Sequence, residues 1–263
     1  MPVATQRATL ADLVRALTIA ALAVVQVVVS GLGGSGAIGD PVGEVANDYA
    51  TPILAAGWAF AIWGPIYVGF LAYAGYQLLP AQRTREVHRE TGWWLAASAV
   101  LNPLWVLAFG ARLILLAEVL IVALLVCLAV VLARLSRTPA EGVVERAVFR
   151  GPIALYTGWV SLATVLGTAA TGVWAGLPGT GALAAVVSVL VLLVASAIVA
   201  SVVTAGTQVV PYAAAAVWAL AGIAANGPPA AVVAAALVAI VVVGTATARR
   251  IGTAGNRVRA AWG

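Results

Sequence analysis

Long apolar runs alternate with short polar segments along the whole chain. Eight such runs are present, and the segments between them are rich in Gly, Pro and charged residues, which end helices. An α-helix of about 20 apolar residues crosses the roughly 30 Å hydrocarbon layer of a bilayer. The pattern therefore predicts an all-α, polytopic membrane helical bundle, whose eight transmembrane helices cover residues 13–33, 57–79, 92–110, 113–135, 149–174, 181–203, 208–225 and 230–248.

Two of these boundaries leave alternatives open. The break near Gly206 is short, so residues 181–225 could also form a re-entrant or differently divided segment. The first run, "LTIAALAVVQVVV" followed by "SGLGGSGA", also fits a signal peptide with small residues at the cleavage site. In that case seven helices would remain, and the C terminus would stay on the same side of the membrane.

The arginines predict how the bundle is oriented. All 14 residues of the Lys and Arg classes are arginines, and a cytoplasmic N terminus places Arg112 alone on the outer side. Because short cytoplasmic loops of membrane proteins carry the excess of basic residues, both termini are predicted to be cytoplasmic. The distribution between apolar runs argues against a nucleic-acid partner, which requires a basic face. The predicted cytoplasmic arginines are Arg7, Arg15, Arg83, Arg85, Arg89, Arg134, Arg137, Arg146, Arg150, Arg249, Arg250, Arg257 and Arg259.

The composition supports a membrane protein and gives little support for an enzyme. Hydrophobic residues make up 63% of the chain and charged residues 9%, with a mean hydropathy of +1.07, whereas soluble domains carry about 25% charged residues. Cys127 is the single cysteine, and His88, the single histidine, is expected to be solvated in an arginine-rich loop. Phosphate-binding, metalloprotease and nucleophile-elbow motifs are missing from the sequence. No catalytic or metal-ligating residue is predicted, and whether any reaction occurs is left open.

The second run carries an unusual concentration of rings in "GWAFAIWGPIY". Trp58 lies near its outer end, where an interfacial aromatic belt is the simpler explanation. Deeper in the run, Pro65 is expected to permit a kink in the helix, which would open a cavity beside the rings. Four rings recur at the spacing of one helix face, namely Phe60, Trp63, Tyr67 and Phe70.

The third and fifth runs each repeat this aromatic face. Trp94, Ser98, Asn102, Trp105 and Phe109 share one face of the third run, and Phe149, Pro152, Tyr156, Trp159, Ala163 and Gly167 share one face of the fifth. If the three faces converge, they form an apolar cavity suited to a flat hydrophobic ligand. An aromatic core without a cavity is the alternative, and Asn102 could serve only an interhelical hydrogen bond.

Glu118 is the one acid well inside an apolar run, so it is a candidate functional group. Arg112 lies six residues away, a spacing that does not favour a pair on one helix face. Gln26 in the first run is a weaker case of the same kind.

The quoted motifs resemble the TspO/MBR family of translocator and tryptophan-rich sensory proteins. The resemblance rests on "GWAFAIWGPIY", on "LNPLW" followed by Phe109, and on "PIALYTGWVSLATVL", and it covers about residues 15–175. Trp58, Phe60, Trp63 and Tyr67 match the family's second-helix aromatics, Asn102 and Trp105 its third-helix pair, and Trp159 and Ala163 its fifth-helix segment. Phe60 and Trp63 are one residue closer than in the family pattern, Gly167 replaces an Asn, and the motif for sterol binding is absent.

The resemblance implies a five-helix bundle in a bacterial cytoplasmic membrane, with a pocket for a porphyrin or haem beneath the loop between helices one and two. It assigns residues 1–176 to this bundle, with residues 34–56 as the lid. Residues 177–250 would add three helices and residues 251–263 a cytoplasmic tail. Ligand-binding residues would be Trp58, Phe60, Trp63, Tyr67, Asn102, Trp105, Tyr156, Trp159 and Ala163.

The expected function is binding of a flat hydrophobic molecule, for sensing, regulation or handling. The lipid bilayer and this small ligand are the expected partners, and a homodimer is left open. One alternative is a secondary transporter that uses Glu118, although no internal repeat of the kind common in such proteins is evident. Another is a membrane assembly subunit without a ligand, with residues 181–248 as its contact surface.

Overall fold

The computed structural model describes residues 9–263, and in this part of the chain all regular secondary structure is helical. Two irregular helical segments, a 3₁₀ helix over Gly57–Ile62 and a π-helix over Arg146–Arg150, lead into long α-helices. The α-helices are α1 Leu10–Gly34, α2 Val42–Asp48, α3 Trp63–Leu78, α4 Pro80–Arg83, α5 Glu86–Gly110, α6 Ile114–Arg137, α7 Val143–Glu145, α8 Gly151–Trp174, α9 Gly181–Ala205, α10 Val209–Ala225, α11 Ala230–Thr253 and α12 Arg257–Trp262.

Seven helical segments of the described chain are long and apolar enough to cross a membrane, which confirms a polytopic helical bundle. The remaining predicted span, 208–225, is present as α10, but its 17 residues make it shorter than these seven segments. At 1.5 Å per residue it is about 25 Å long, less than the hydrocarbon thickness. The break predicted near Gly206 separates α9 from α10.

Five of the long helices, α1, α5, α6, α8 and α3, pack in a closed ring, and the C-terminal helices are added to it. α5 lies between α1 and α6, α6 packs on α8, and α3 contacts both α1 and α8. α10 then packs on α8, α11 packs on α10, and α9 packs mainly on α11. The three C-terminal spans therefore reach the core of the bundle through α10, while α9 makes little contact with α8. The division at residue 176 remains a prediction about domains.

The second predicted span is not one continuous α-helix. Residues Gly57–Ile62 form the 3₁₀ helix and α3 begins at Trp63, so Pro65 lies in the first turn of α3. The 3₁₀ helix continues directly into α3, since the Trp63 N–H donates to the Phe60 carbonyl. Pro65 therefore follows a change from 3₁₀ to α geometry and is not in the middle of the helix as predicted; the kink itself stays a prediction.

One end of the bundle, called here the Arg-rich end, holds the arginines that were predicted to share a side; Arg7 lies outside the described residues. Contacts between elements show this grouping: Arg85 binds Glu145 at 2.7 Å, Arg250 donates to the Gly206 carbonyl at 3.0 Å, and Arg259 donates to the Ser136 carbonyl at 3.3 Å. Arg112 lies at the opposite end, in the turn between α5 and α6. The segment predicted as a tail is partly folded, since α12 packs on α10 and α11.

Two buried carboxylates at the Arg-rich end are each bound by two arginines. Asp12, which is 2% exposed, contacts Arg15 at 3.0 Å and Arg89 at 2.6 Å, so it joins α1 to α5.

Glu145, also 2% exposed, contacts Arg85 at 2.7 Å and Arg150 at 2.6 Å. Arg150 in addition donates to the carbonyl oxygens of Leu135 and Thr138, both at 2.7 Å. This cluster links α6, α8 and the turn before α5.

His88 is fully buried, so the prediction of a solvated histidine is wrong. Its ring lies 5.0 Å from that of Phe149, 5.8 Å from Tyr73 and 6.0 Å from Tyr76. Position 88 falls in the first turn of α5, where its ring lies among rings from α3 and the π-helix. Neither ring nitrogen has a hydrogen-bond partner within residues 9–263.

Candidate functional site

Three helices bring their aromatic faces together around Trp63. Its ring stacks on Tyr67 of the same helix at 5.4 Å and lies 6.1 Å from Trp105 of α5. From α8, Tyr156 at 5.8 Å and Trp159 at 6.1 Å meet it edge to face. The aromatic faces of the second, third and fifth predicted spans therefore converge, as the sequence pattern anticipated.

The 3₁₀ helix and the end of α5 extend this cluster. Phe60 contacts Trp159 edge to face at 5.9 Å, and Phe109 stacks on Trp105 at 5.7 Å. Phe60 lies in the 3₁₀ helix and Trp63 follows it directly, and side chains three residues apart in a 3₁₀ helix lie on the same face. Both rings contact Trp159, as expected for residues on one face.

A cavity, called here the aromatic cavity, lies between these rings and the lid. Its lining includes Phe60, Trp63, Trp105, Trp159 and Ala163 among the predicted ligand-binding residues. The cavity is partly open to the outside, and its volume is about 50 Å³. Pockets that bury a small ligand usually measure about 300–1,000 Å³. The cavity is therefore narrow, and a bound ligand would require the lid or the rings to move.

The other four predicted residues lie outside the lining. Tyr67 and Tyr156 form a second layer behind Trp63. Trp58 is 47% exposed and meets Trp218 of α10 edge to face at 4.9 Å, a position that suits an interfacial anchor.

Asn102 is fully buried behind the cavity and joins three helices. Its Oδ1 accepts hydrogen bonds from the Tyr67 hydroxyl of α3 and the Ser30 hydroxyl of α1, both at 3.3 Å. The expected interhelical hydrogen bond is thus present. Its Nδ2, like both side-chain polar atoms of the fully buried Gln26, has no hydrogen-bond partner in the described part of the chain.

Glu118 lies in the lining of the aromatic cavity, which places the predicted ionisable group beside the aromatic residues. Its Oε1 accepts a 2.6 Å hydrogen bond from Thr168 of α8, whereas its buried Oε2 has no partner among the described residues. A Cβ at Gly167 would lie 2.8 Å from that Oε2. The missing side chain at Gly167 therefore provides the space for the carboxylate. As predicted, Arg112 makes no ion pair with Glu118 in the described chain.

The lid, residues 34–56, contains the short helix α2 and contributes Val42, Ala46, Tyr49, Thr51 and Leu54 to the lining. It therefore covers the aromatic cavity directly.

Arg112 holds one end of the lid. Its guanidinium contacts Asp40 and Asp48, each at 2.7 Å, and the Asp40 N–H donates to the Gly110 carbonyl at 3.0 Å. Asp48 and then Asp40 raise the pKa of Arg112 above its usual value by hydrogen bonding to the charged form. Arg112 adopts a left-handed backbone with φ of 60°, which is uncommon for a side chain other than Gly, Asn or Asp.

The other end of the lid is fixed to α10. The Ala56 N–H donates to the Gly222 carbonyl at 2.9 Å, and the Asn226 side chain donates to the Leu54 carbonyl at 3.1 Å. Trp218 donates its indole N–H to the Ala59 carbonyl at 2.8 Å. A Cβ at Gly222 would lie 2.6 Å from that of Ala59, so the close approach requires glycine.

Sequence analysis did not identify the side-chain contacts around the cavity whose two partners lie far apart in the sequence. Thr168 orients Glu118 across 50 positions, and the lid acids meet Arg112 across 72 and 64 positions. Two signals were available in the sequence. Thr168 lies one helical turn after Thr164, and Arg112 is the single arginine predicted on the same side as the acidic loop 34–56. In the described residues, no group of His, Cys, Asp and Glu side chains could hold a metal ion.

A comparison with known protein families supports the resemblance that the sequence motifs indicated. A family model described as TSPO-like protein matches residues 15–248, well beyond the stretch near residue 175 at which the motif resemblance stopped. Helices α9 and α10 and most of α11 thus fall within the matched region. No curated protein and no solved structure matches the chain significantly. The match spans far more than half of the sequence, and the chain belongs to the TSPO-like protein family.

Proposed function

We propose that this TSPO-like membrane protein binds a flat, largely apolar ring molecule in the aromatic cavity and acts in its sensing, regulation or handling. The observation that carries the proposal is the convergence of Phe60, Trp63, Trp105, Phe109 and Trp159 on one cavity beneath a lid. Aromatic walls favour flat ligands because ring contacts add about 0.5–1.5 kcal/mol per pair beyond buried area.

Tetrapyrroles are the first ligand class to test, because the family resemblance implies them. The lining contains no His, Cys or Met, and Tyr49 and Glu118 are its candidates for an iron ligand. The iron-free ring, protoporphyrin IX, is therefore a better first probe than haem.

Entry of such a ring requires an open lid, since the present space is too narrow. The contacts of Arg112 with Asp40 and Asp48 are suited to opening, because all three side chains are more than 40% exposed. Exposed ion pairs contribute little to stability and exchange readily with water.

The test is a titration of protoporphyrin IX and of its dimethyl ester into the purified protein in lipid nanodiscs, followed by tryptophan quenching. Ala163→Leu adds bulk to the lining and should weaken binding at least about tenfold. Ala234→Leu makes the same change on the exposed face of α11 and serves as the control. Absence of saturable quenching, or equal affinity in wild type and Ala163→Leu, would contradict the proposal.

We also infer that the Arg-rich end faces the cytoplasm and the lid faces the opposite side of a bacterial plasma membrane. The support is the separation of Arg112 from the other described arginines and the preference of short cytoplasmic loops for basic residues.

A further inference from the structure

We propose that the aromatic cavity selects ligands that carry a positively charged group, for which Glu118 is the counter-ion. This inference rests on the proposed function and specifies the charge of the ligand. A protonated amine attached to a flat ring is the simplest chemistry that fits.

The carboxylate of Glu118 is held in place with one oxygen left to bind. Thr168 donates to Oε1 at 2.6 Å, while Oε2 lies buried in the cavity wall without a partner in residues 9–263. The free oxygen is next to Gly167, where no side chain blocks it. A buried carboxylate oxygen that lacks a donor is costly unless a ligand supplies one.

No cation of the described chain competes for this site. The lining of the cavity contains no Arg and no His. The nearest arginine along the chain, Arg112, is bound to Asp40 and Asp48. Glu118 differs in this respect from Asp12 and Glu145, which are each bound by two arginines.

The surroundings also favour a cation. The indole faces of tryptophan attract organic cations, most strongly where water is excluded, and Trp63, Trp105 and Trp159 line the same cavity as Glu118. The lid carries three acids, Asp40, Glu44 and Asp48, and Arg112 is the one cation bound to it in the described chain, so this region has a net negative formal charge. This field attracts cations and repels a ligand that enters with a carboxylate first.

The experiment compares three probes that share one ring system: aminomethylanthracene, hydroxymethylanthracene and anthracene carboxylate. At neutral pH they are cationic, neutral and anionic. Each is titrated into the protein in phosphatidylcholine nanodiscs, with empty nanodiscs to subtract partition into lipid, and tryptophan quenching gives the Kd. Glu118→Gln removes the charge but keeps an acceptor for Thr168, and Glu44→Gln is the matched control at the exposed mouth.

We expect the amine to bind at least about tenfold more tightly than the alcohol, because hydrogen bonds to charged groups are the stronger ones. The carboxylate should bind most weakly. Glu118→Gln should remove the preference for the amine over the alcohol, and Glu44→Gln should keep most of that preference.

Equal affinity for the three probes, tightest binding of the carboxylate, or a preference that survives Glu118→Gln would each overturn this inference and leave the proposed function standing. If no probe binds saturably, this inference falls, and the protoporphyrin titration decides the proposed function separately. If Glu118→Gln does not fold, the order of the three affinities in the wild-type protein still decides.

Discussion

Buried carboxylates at the two ends of the bundle differ in whether arginines bind them. At the Arg-rich end, Asp12 and Glu145 are each bound by two arginines. At the lid end, the only donor to Glu118 in the described chain is the hydroxyl of Thr168. Charges that hold a fold together are fully paired, whereas a group that waits for a ligand must keep an atom free.

The contrast is confined to the carboxylates. Buried neutral atoms without a partner in residues 9–263 occur around the cavity, at the Trp159 indole N–H, the Asn102 amide and the Tyr156 hydroxyl, and also at the Arg-rich end, at His88 and Gln77. From the carboxylates we infer that the Arg-rich end supplies stability and the lid end supplies binding, and the following predictions test this difference.

The largest effect is expected for Glu145→Gln, which removes the negative charge between Arg85 and Arg150. Breaking a buried ion pair usually costs about 3–5 kcal/mol, and the lower part of that range is expected here because Arg150 keeps its bonds to two backbone carbonyls. Thermal unfolding in detergent measures the loss. Glu141→Gln is the control, since Glu141 also contacts Arg85 but is 71% exposed; equal loss in both variants would remove the distinction between buried and exposed pairs.

Smaller effects on stability, which differ between the two variants, are expected for two tyrosines beside the cavity. Tyr67→Phe removes a hydrogen bond to Asn102 and should cost about 0.5–1.5 kcal/mol. Tyr156→Phe removes a hydroxyl that has no partner within the described chain, so stability should be unchanged or slightly higher. The free energies of unfolding, measured side by side, check the pair. A clear loss in Tyr156→Phe would show that its hydroxyl is satisfied and would contradict this prediction.

The smallest effect on stability is expected for Arg112→Gln, which releases Asp40 and Asp48. Because the three side chains are exposed, unfolding should change little, while the association rate of the ring probes should rise about two- to fivefold as the lid opens more often. Stopped-flow tryptophan quenching gives the rate. Arg137→Gln, an exposed arginine at the opposite end, should leave it unchanged. A rate that does not respond to Arg112→Gln would mean that these ion pairs do not control entry.

Much of the bundle could be predicted from the sequence because membrane thickness fixes the length of apolar helices. Hydropathy located the spans, and helical spacing placed Trp63, Trp105 and Trp159 on converging faces. The 3₁₀ helix before Trp63 could not be predicted, because it is set by contacts with Gly222 and Trp218, about 160 residues further on.

The contacts around the cavity could be predicted only in part, because here too the contacting residues lie far apart in the sequence. Glu118 was identifiable as an unusual acid, but its neighbours Gly167 and Thr168 belong to another helix, and no local pattern connects them. The burial of His88 was missed because nearby arginines suggested a solvated loop. Local composition describes the segment as a whole, whereas burial depends on which way one side chain points.

The attachment of the lid to α10 has a mechanical consequence. One rim of the cavity is tied to α10, a helix of 17 residues, by the backbone hydrogen bond from Ala56 to Gly222 and by the side chains of Trp218 and Asn226. A hydrophobic helix that is shorter than the hydrocarbon layer makes the surrounding bilayer thinner. We expect the width of the entrance to follow any displacement of α10 that a change in bilayer thickness causes.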